Sequence, residues 1–106
     1  MGYVYLLECV SDYEQVYKIG YTKNQKISQR ISNLQTGNQD NMDPLYMFET
    51  KHGRKLETVL HNMYSHKRIN REWFQLDLTD VVDFENICSK IENNFDFLKN
   101  EKNNFF

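Results

Sequence analysis

The chain is short of the residues that mark several protein classes. It has two cysteines, Cys9 and Cys88, 79 positions apart, which is neither a disulfide framework nor a CxxC metal pair. It has one proline, Pro44, and four glycines, too few for a collagenous or linker-rich chain. No apolar run approaches the roughly 18 residues of a membrane span. The first fifteen residues hold no Lys or Arg, so a secretory leader is not expected there. These absences point to a reduced, cytoplasmic setting. What is present is a soluble globular composition, 40% hydrophobic and 26% charged over 106 residues, enough for one core.

The net charge of −2 conceals an asymmetry. Residues 1–71 carry ten basic and seven acidic side chains, and residues 72–106 carry three and eight. Lys18, Lys23, Lys26 and Arg30 lie in a stretch free of acid, and Lys67, Arg68 and Arg71 belong to a second basic group. Such groups are either solvated faces or a local phosphate-binding surface with an acidic tail to balance it. The small overall charge argues against strong non-specific DNA binding.

Periodicity divides the chain into elements. Tyr3–Val10 and Val16–Tyr21 are rich in aromatic and β-branched residues, and a polar turn joins them into a hairpin. Ile27, Ile31 and Leu34 recur at helical spacing, with Asn24 to cap and Gly37 to stop. Gly37–Pro44 reads as a loop and Leu45–Thr50 as a third strand. Lys55–Ser65 reads as a helix with Leu56, Val59, Leu60 and Met63 inward. A short segment around Trp73 and Phe74 follows. Thr79 or Asp80 then caps a last helix carrying Phe84, Ile87, Ile91, Phe95 and Leu98. The expected fold is α+β, a small, mainly antiparallel three-stranded sheet flanked by helices. Residues 1–78 form its main body, and 79–106 form a helix and tail packed on it. Apolar residues at both parities of the opening strands indicate a sheet covered on both faces.

Strand and helix geometry bring together a set of chemically capable residues. In an antiparallel hairpin the numbers of paired residues have a constant sum. Any odd sum puts Tyr5 and Lys18 on one face, with Gly20 beside them to allow close approach. Glu57, His61 and Tyr64 form one helical stripe, and Glu57 with His61 is equally an ordinary i, i+4 pair. Glu72, ahead of Trp73-Phe74, reads as a strand-end carboxylate beside a core plug.

In order and spacing, Tyr3-Val4-Tyr5, Tyr17-Lys18-Ile19-Gly20, Arg30 in a following helix and Glu57 in a later one resemble the GIY-YIG nuclease superfamily. The likeness spans residues 3–78. Its short phage and viral branch is similar also in Leu34–Asn38 (Leu-Gln-Thr-Gly-Asn), in Glu57 with His61, and in Glu72–Phe74 (Glu-Trp-Phe). The chain departs from the pattern in three places. Tyr3-Val4-Tyr5 replaces Gly-Ile-Tyr, Lys18 stands where the second motif has its tyrosine, and the late asparagine has only Asn62, Asn70 and Asn86 as candidates.

The resemblance implies a metal-dependent DNA endonuclease, with RNA as an alternative substrate. Tyr5 would be the general base and Glu57 the ligand of one Mg²⁺ or Mn²⁺ ion. Lys18, Arg30 and the metal would stabilise the Tyr5 phenolate, Arg30 would make a bidentate phosphate contact, and His61 would orient the metal-bound water or bind phosphate. Lys23, Lys26, Lys67, Arg68 and Arg71 would track the nucleic-acid backbone without reading sequence. The last helix either packs on its own sheet or forms a homodimer seam. The alternative functions are a catalytically inactive nucleic-acid-binding or regulatory module of the same fold, and a protein-interaction module using Phe105-Phe106.

Overall fold

A computed structural model describes residues 2–10, 14–23 and 41–100. The expected helix after Asn24, with Lys26 and Arg30, lies outside them. Strand β1 runs over Gly2–Val10, β2 over Gln15–Thr22 and β3 over Asn41–Thr50. Helix α1 follows at Gly53–Met63, then a 3₁₀ turn at Ser65–Lys67, β4 at Arg68–Asn70, β5 at Trp73–Phe74 and helix α2 at Leu78–Asn100. The strands form one sheet in the order β3-β1-β2-β5-β4, with every pairing antiparallel. The class is therefore α+β as expected, but the sheet has five strands where three were expected.

The two added strands are a minimal hairpin. β4 and β5 have three and two residues, too short to show alternation in the sequence. Their turn is closed by Arg71 at φ 40°, a left-handed conformation that non-glycine side chains adopt rarely. β3 corrects a second expectation, because Asn41–Pro44 is strand and not loop. Pro44 is tolerated there because β3 is an edge strand. The register slips between Leu6 and Leu7, which pair with Tyr46 and Pro44 and leave Leu45 as the extra residue of a bulge.

The core lies on one face of the sheet. Val4 and Leu6 of β1, Tyr17 and Ile19 of β2 and Phe74 of β5 meet Leu56 and Leu60 of α1 and Phe84 and Cys88 of α2. Each helix contributes its buried pair at i, i+4, the spacing that puts two side chains on one face. Met63, expected inward, is 47% exposed. Val81, Ile87, Ile91 and Phe95 of α2 pack against the same core. No helix among the described residues is long and apolar enough to cross a membrane.

The start of α2 is fixed by a reciprocal cap one turn earlier than expected. The Asp80 amide donates to Asp77 Oδ1 at 3.0 Å, and the Asp77 amide donates to Asp80 Oδ2 at 3.1 Å. This is a capping box built from two aspartates. Lys67 Nζ donates to both, at 3.1 Å to Asp77 Oδ2 and 2.5 Å to Asp80 Oδ2.

Truncating Leu60, fully buried at the α1–sheet contact, is expected to remove about 2–5 kcal/mol of stability. Urea denaturation of Leu60→Ala measures it. A loss below about 1 kcal/mol contradicts this account of the core.

Candidate active site

Hairpin register decides which residues of β1 and β2 can act together. Tyr5 pairs with Gly20, Leu7 with Lys18 and Cys9 with Val16. Tyr5, Lys18 and Gly20 therefore share the face opposite the Ile19 and Phe74 core. Tyr5 is fully buried, and its hydroxyl lies directly over Gly20. A Cβ at position 20 would stand 2.3 Å from Tyr5 Oη, so glycine is what admits the ring. That hydroxyl has no hydrogen-bond partner among the described residues. An orphaned buried hydroxyl typically costs about 1–3 kcal/mol, and such groups gather where a ligand completes them.

β5 covers β2 only in part. Tyr17 and Lys18 pair with Phe74 and Trp73, and the Ile19 amide donates to Glu72 O at 3.1 Å. There the strand contact ends. The Ile19 carbonyl is met by His61 Nε2 at 2.8 Å. A carbonyl only accepts, so Nε2 carries the proton and His61 closes the ladder from α1. The ring also packs 5.1 Å from that of Phe74.

Glu57 shares the α1 stripe of His61, which carries it to the same edge. Its carboxyl is pushed above the usual range, chiefly by desolvation and next by the adjacent Glu72 carboxylate, while His61 and Arg54 pull the other way. Glu72 in turn places Oε2 3.2 Å from Lys18 Nζ. The Lys18 side chain is 7% exposed and Glu72 35%, so the lysine is inside and the glutamate faces solvent. Lys18 Nζ also stands 5.9 Å from the centre of the Trp73 ring.

Lys18 is ion-paired with Glu72, the charges of Glu72 and His61 act on Glu57, His61 meets the Ile19 carbonyl, and Tyr5 lies over Gly20. Of the expected site residues, Glu57 and His61 reach β2 from α1 on the core side, while Tyr5 and Lys18 lie on the opposite face, and Glu72 is the residue between Lys18 and Glu57. Glu72 was read as a strand-end carboxylate, yet it sits at the centre of the set. Its one sequence signal was its place next to Trp73, which any strand-end carboxylate would share.

The expected backbone-tracking residues are less uniform. Lys23 is exposed. Arg68 and Arg71 are exposed on β4 and its turn, and Arg68 lies 5.3 Å over the Phe74 ring. Lys67 is committed to Asp77 and Asp80, so its charge is already matched within the chain.

Glu57 and Glu72 offer hard oxygens, the ligand type of Mg²⁺ and Mn²⁺. Among the described residues no group of three or more His, Cys, Asp or Glu side chains could enclose a metal. Mg²⁺ does not require such a cage, because it commonly binds one or two carboxylates and keeps waters and phosphate oxygens as its other ligands. The residues therefore fit that ion. The two surface depressions, one by Cys9, Met42 and Trp73 and one by Arg54, Thr58 and Phe95, include none of Tyr5, Lys18, Glu57 and Glu72. A polyanionic backbone laid along a strand edge needs no enclosed pocket.

Comparison with family models shows where the chain belongs. Residues 2–91 match the T5orf172 domain, and the chain belongs to that family, a phage-associated domain of the GIY-YIG/HNH-like nuclease type. Neither curated proteins nor solved structures give a match.

Glu57 titrates higher in the folded chain than in the unfolded one, so folding favours its neutral form. That contribution is complete below the unfolded carboxylate pKa of 4.5 and is lost as pH rises through the raised folded value. Glu57→Gln is therefore expected to melt higher than wild type at pH 7, with the gap closing towards pH 4. Melting curves at both pH values measure it. A variant that melts lower at pH 7 contradicts the assignment.

Proposed function

We propose that this domain is a metal-dependent DNA endonuclease of the GIY-YIG type. The observation that supports the reading is the grouping of Lys18, Glu72, Glu57 and His61 about the end of the β2–β5 contact, with Tyr5 over the adjacent Gly20. Membership of the T5orf172 family supports it independently.

Phosphodiester hydrolysis needs a base for water, a cation for the scissile phosphate and a Lewis acid for the developing charge. Tyr5 is the base in its phenolate form, which Lys18, Arg30 and a bound cation would stabilise; having first lost its own proton to solvent, it takes that of an attacking water. Lys18 contacts the phosphate as a point charge from within the sheet. Glu57 would hold Mg²⁺ or Mn²⁺, which would supply the Lewis acid. His61, anchored to Ile19, fixes the β2 edge on which the phosphate lies. Arg30 is assigned the second phosphate contact by resemblance, and it lies outside the described residues. Lys23, Arg68 and Arg71 carry flanking backbone contacts. The Glu57 and Glu72 carboxylates repel each other, and a cation held beside them would relieve that repulsion.

Incubation with supercoiled plasmid in Mg²⁺ or Mn²⁺ tests the reading. Wild type is expected to nick and linearise it, and EDTA to stop the reaction. Tyr5→Phe and Glu57→Ala are each expected to slow cutting by about a hundredfold or more. Wild-type chain that binds DNA and cuts it in neither metal reduces the domain to a binding module.

A further inference from the structure

We infer that Glu72 is a positioning residue that occupies the place of the substrate phosphodiester on Lys18 while the site is free of nucleic acid. The inference takes from the nuclease reading only the identity of the anion that replaces it.

The geometry is directional. Lys18 is almost wholly buried, and its ammonium meets the Glu72 carboxylate at 3.2 Å on the side where Glu72 is still a third exposed. An anion arriving from solvent therefore meets Lys18 where the carboxylate now sits. Carboxylate and phosphodiester each present two oxygens sharing a negative charge, so one substitutes for the other without rebuilding the lysine's surroundings. An ammonium carries three donors and imposes no planar fork, so it can change partner with little reorientation. The Trp73 ring, 5.9 Å from Nζ, retains the cation during the exchange.

The backbone shows which part moves. Glu72 O accepts the Ile19 amide at 3.1 Å, and Trp73 pairs with Lys18. The residue is thus pinned to β2 by its main chain, and only its side chain is free to leave. Glu72 has two effects. It keeps a buried ammonium charged and aimed at the edge, and it lowers affinity for any anion that does not displace it.

The test is equilibrium binding of a fluorescent DNA duplex in EDTA at about 0.15 M salt, where exposed charges are screened beyond about 8 Å. Glu72→Gln is expected to bind roughly fivefold more tightly than wild type, because Lys18 is competent without prior displacement. In a Lys18→Met background the same change is expected to give no gain. Glu49→Gln, at an exposed position on β3, controls for loss of negative charge and is expected to change affinity by less than about twofold. Carbon-13 detection of the wild-type Glu72 carboxylate needs no substitution, and its signal is expected to shift as DNA is added.

Unchanged or weaker binding by Glu72→Gln, a gain that survives Lys18→Met, or a carboxylate signal that stays still overturns the inference. Failure of the nuclease reading looks different. A chain that never cuts plasmid but shows the Lys18-dependent gain keeps the exchange and loses the enzyme. One that cuts without the gain keeps the enzyme and loses the exchange.

Discussion

The ion pair between Lys18 and Glu72 is the constraint around which this domain is arranged. A lysine in the second strand of a small sheet is buried by its neighbours whether or not its charge is matched. Leaving such an ammonium without its partner costs about 3–5 kcal/mol in typical cases. Here the partner comes from the residue just ahead of β5, so the short β4–β5 hairpin must be present and in register. The hairpin brings Trp73 beside the lysine and Phe74 into the core on the opposite face. Lys67, just before it, ties the same segment to the capping box of α2. One buried charge thus accounts for the placement of a segment with almost no strand signal of its own.

The site carries features that a chain selected only for stability would lack. Glu57 is partly desolvated beside another carboxylate. The Tyr5 hydroxyl is buried without a partner over a glycine that leaves it room. Each opposes folding and is offset by the apolar face on the other side of the sheet, where Val4, Leu6, Ile19 and Phe74 are fully buried. Both faces of β1 and β2 are buried at these positions, with Val4, Leu6 and Ile19 on one and Tyr5, Leu7 and Lys18 on the other. Local destabilisation at functional positions is the usual pattern. Cys88 and Tyr64, pushed up to about 12 by burial, stay neutral within the core, where the Tyr64 hydroxyl, like that of Tyr5, is buried without a hydrogen-bond partner among the described residues.

Much of this was legible in the residues. An odd pairing sum was the condition for Tyr5, Lys18 and Gly20 to share a face, and the observed pairing of Tyr5 with Gly20 meets it. The i, i+4 spacing placed His61 and Glu57 on one stripe, and both helices bury such a pair. Signals shorter than a period were not legible. Two-residue β5 has no alternation to read, and Asn41–Pro44 looks like a loop because turn-forming residues fill an edge strand. Thr79 or Asp80 was the expected cap of the last helix, and Asp77 takes that place through bonds with Asp80 and Lys67 that no local pattern announces. Glu72 was missed because its meaning lies in a partner 54 positions earlier. Long-range ion pairs leave no local pattern in a sequence.

The central claim is that a divalent ion and a phosphodiester meet at the β2 edge beyond β5. Paramagnetic broadening of backbone amide signals by substoichiometric Mn²⁺ tests it most directly, because it maps the ion without depending on turnover. The account predicts that Gly20, Glu57, His61 and Glu72 broaden first, and that Glu57→Ala abolishes the effect. Broadening centred instead on the acidic start of α2, around Asp77, Asp80 and Asp83, would contradict it.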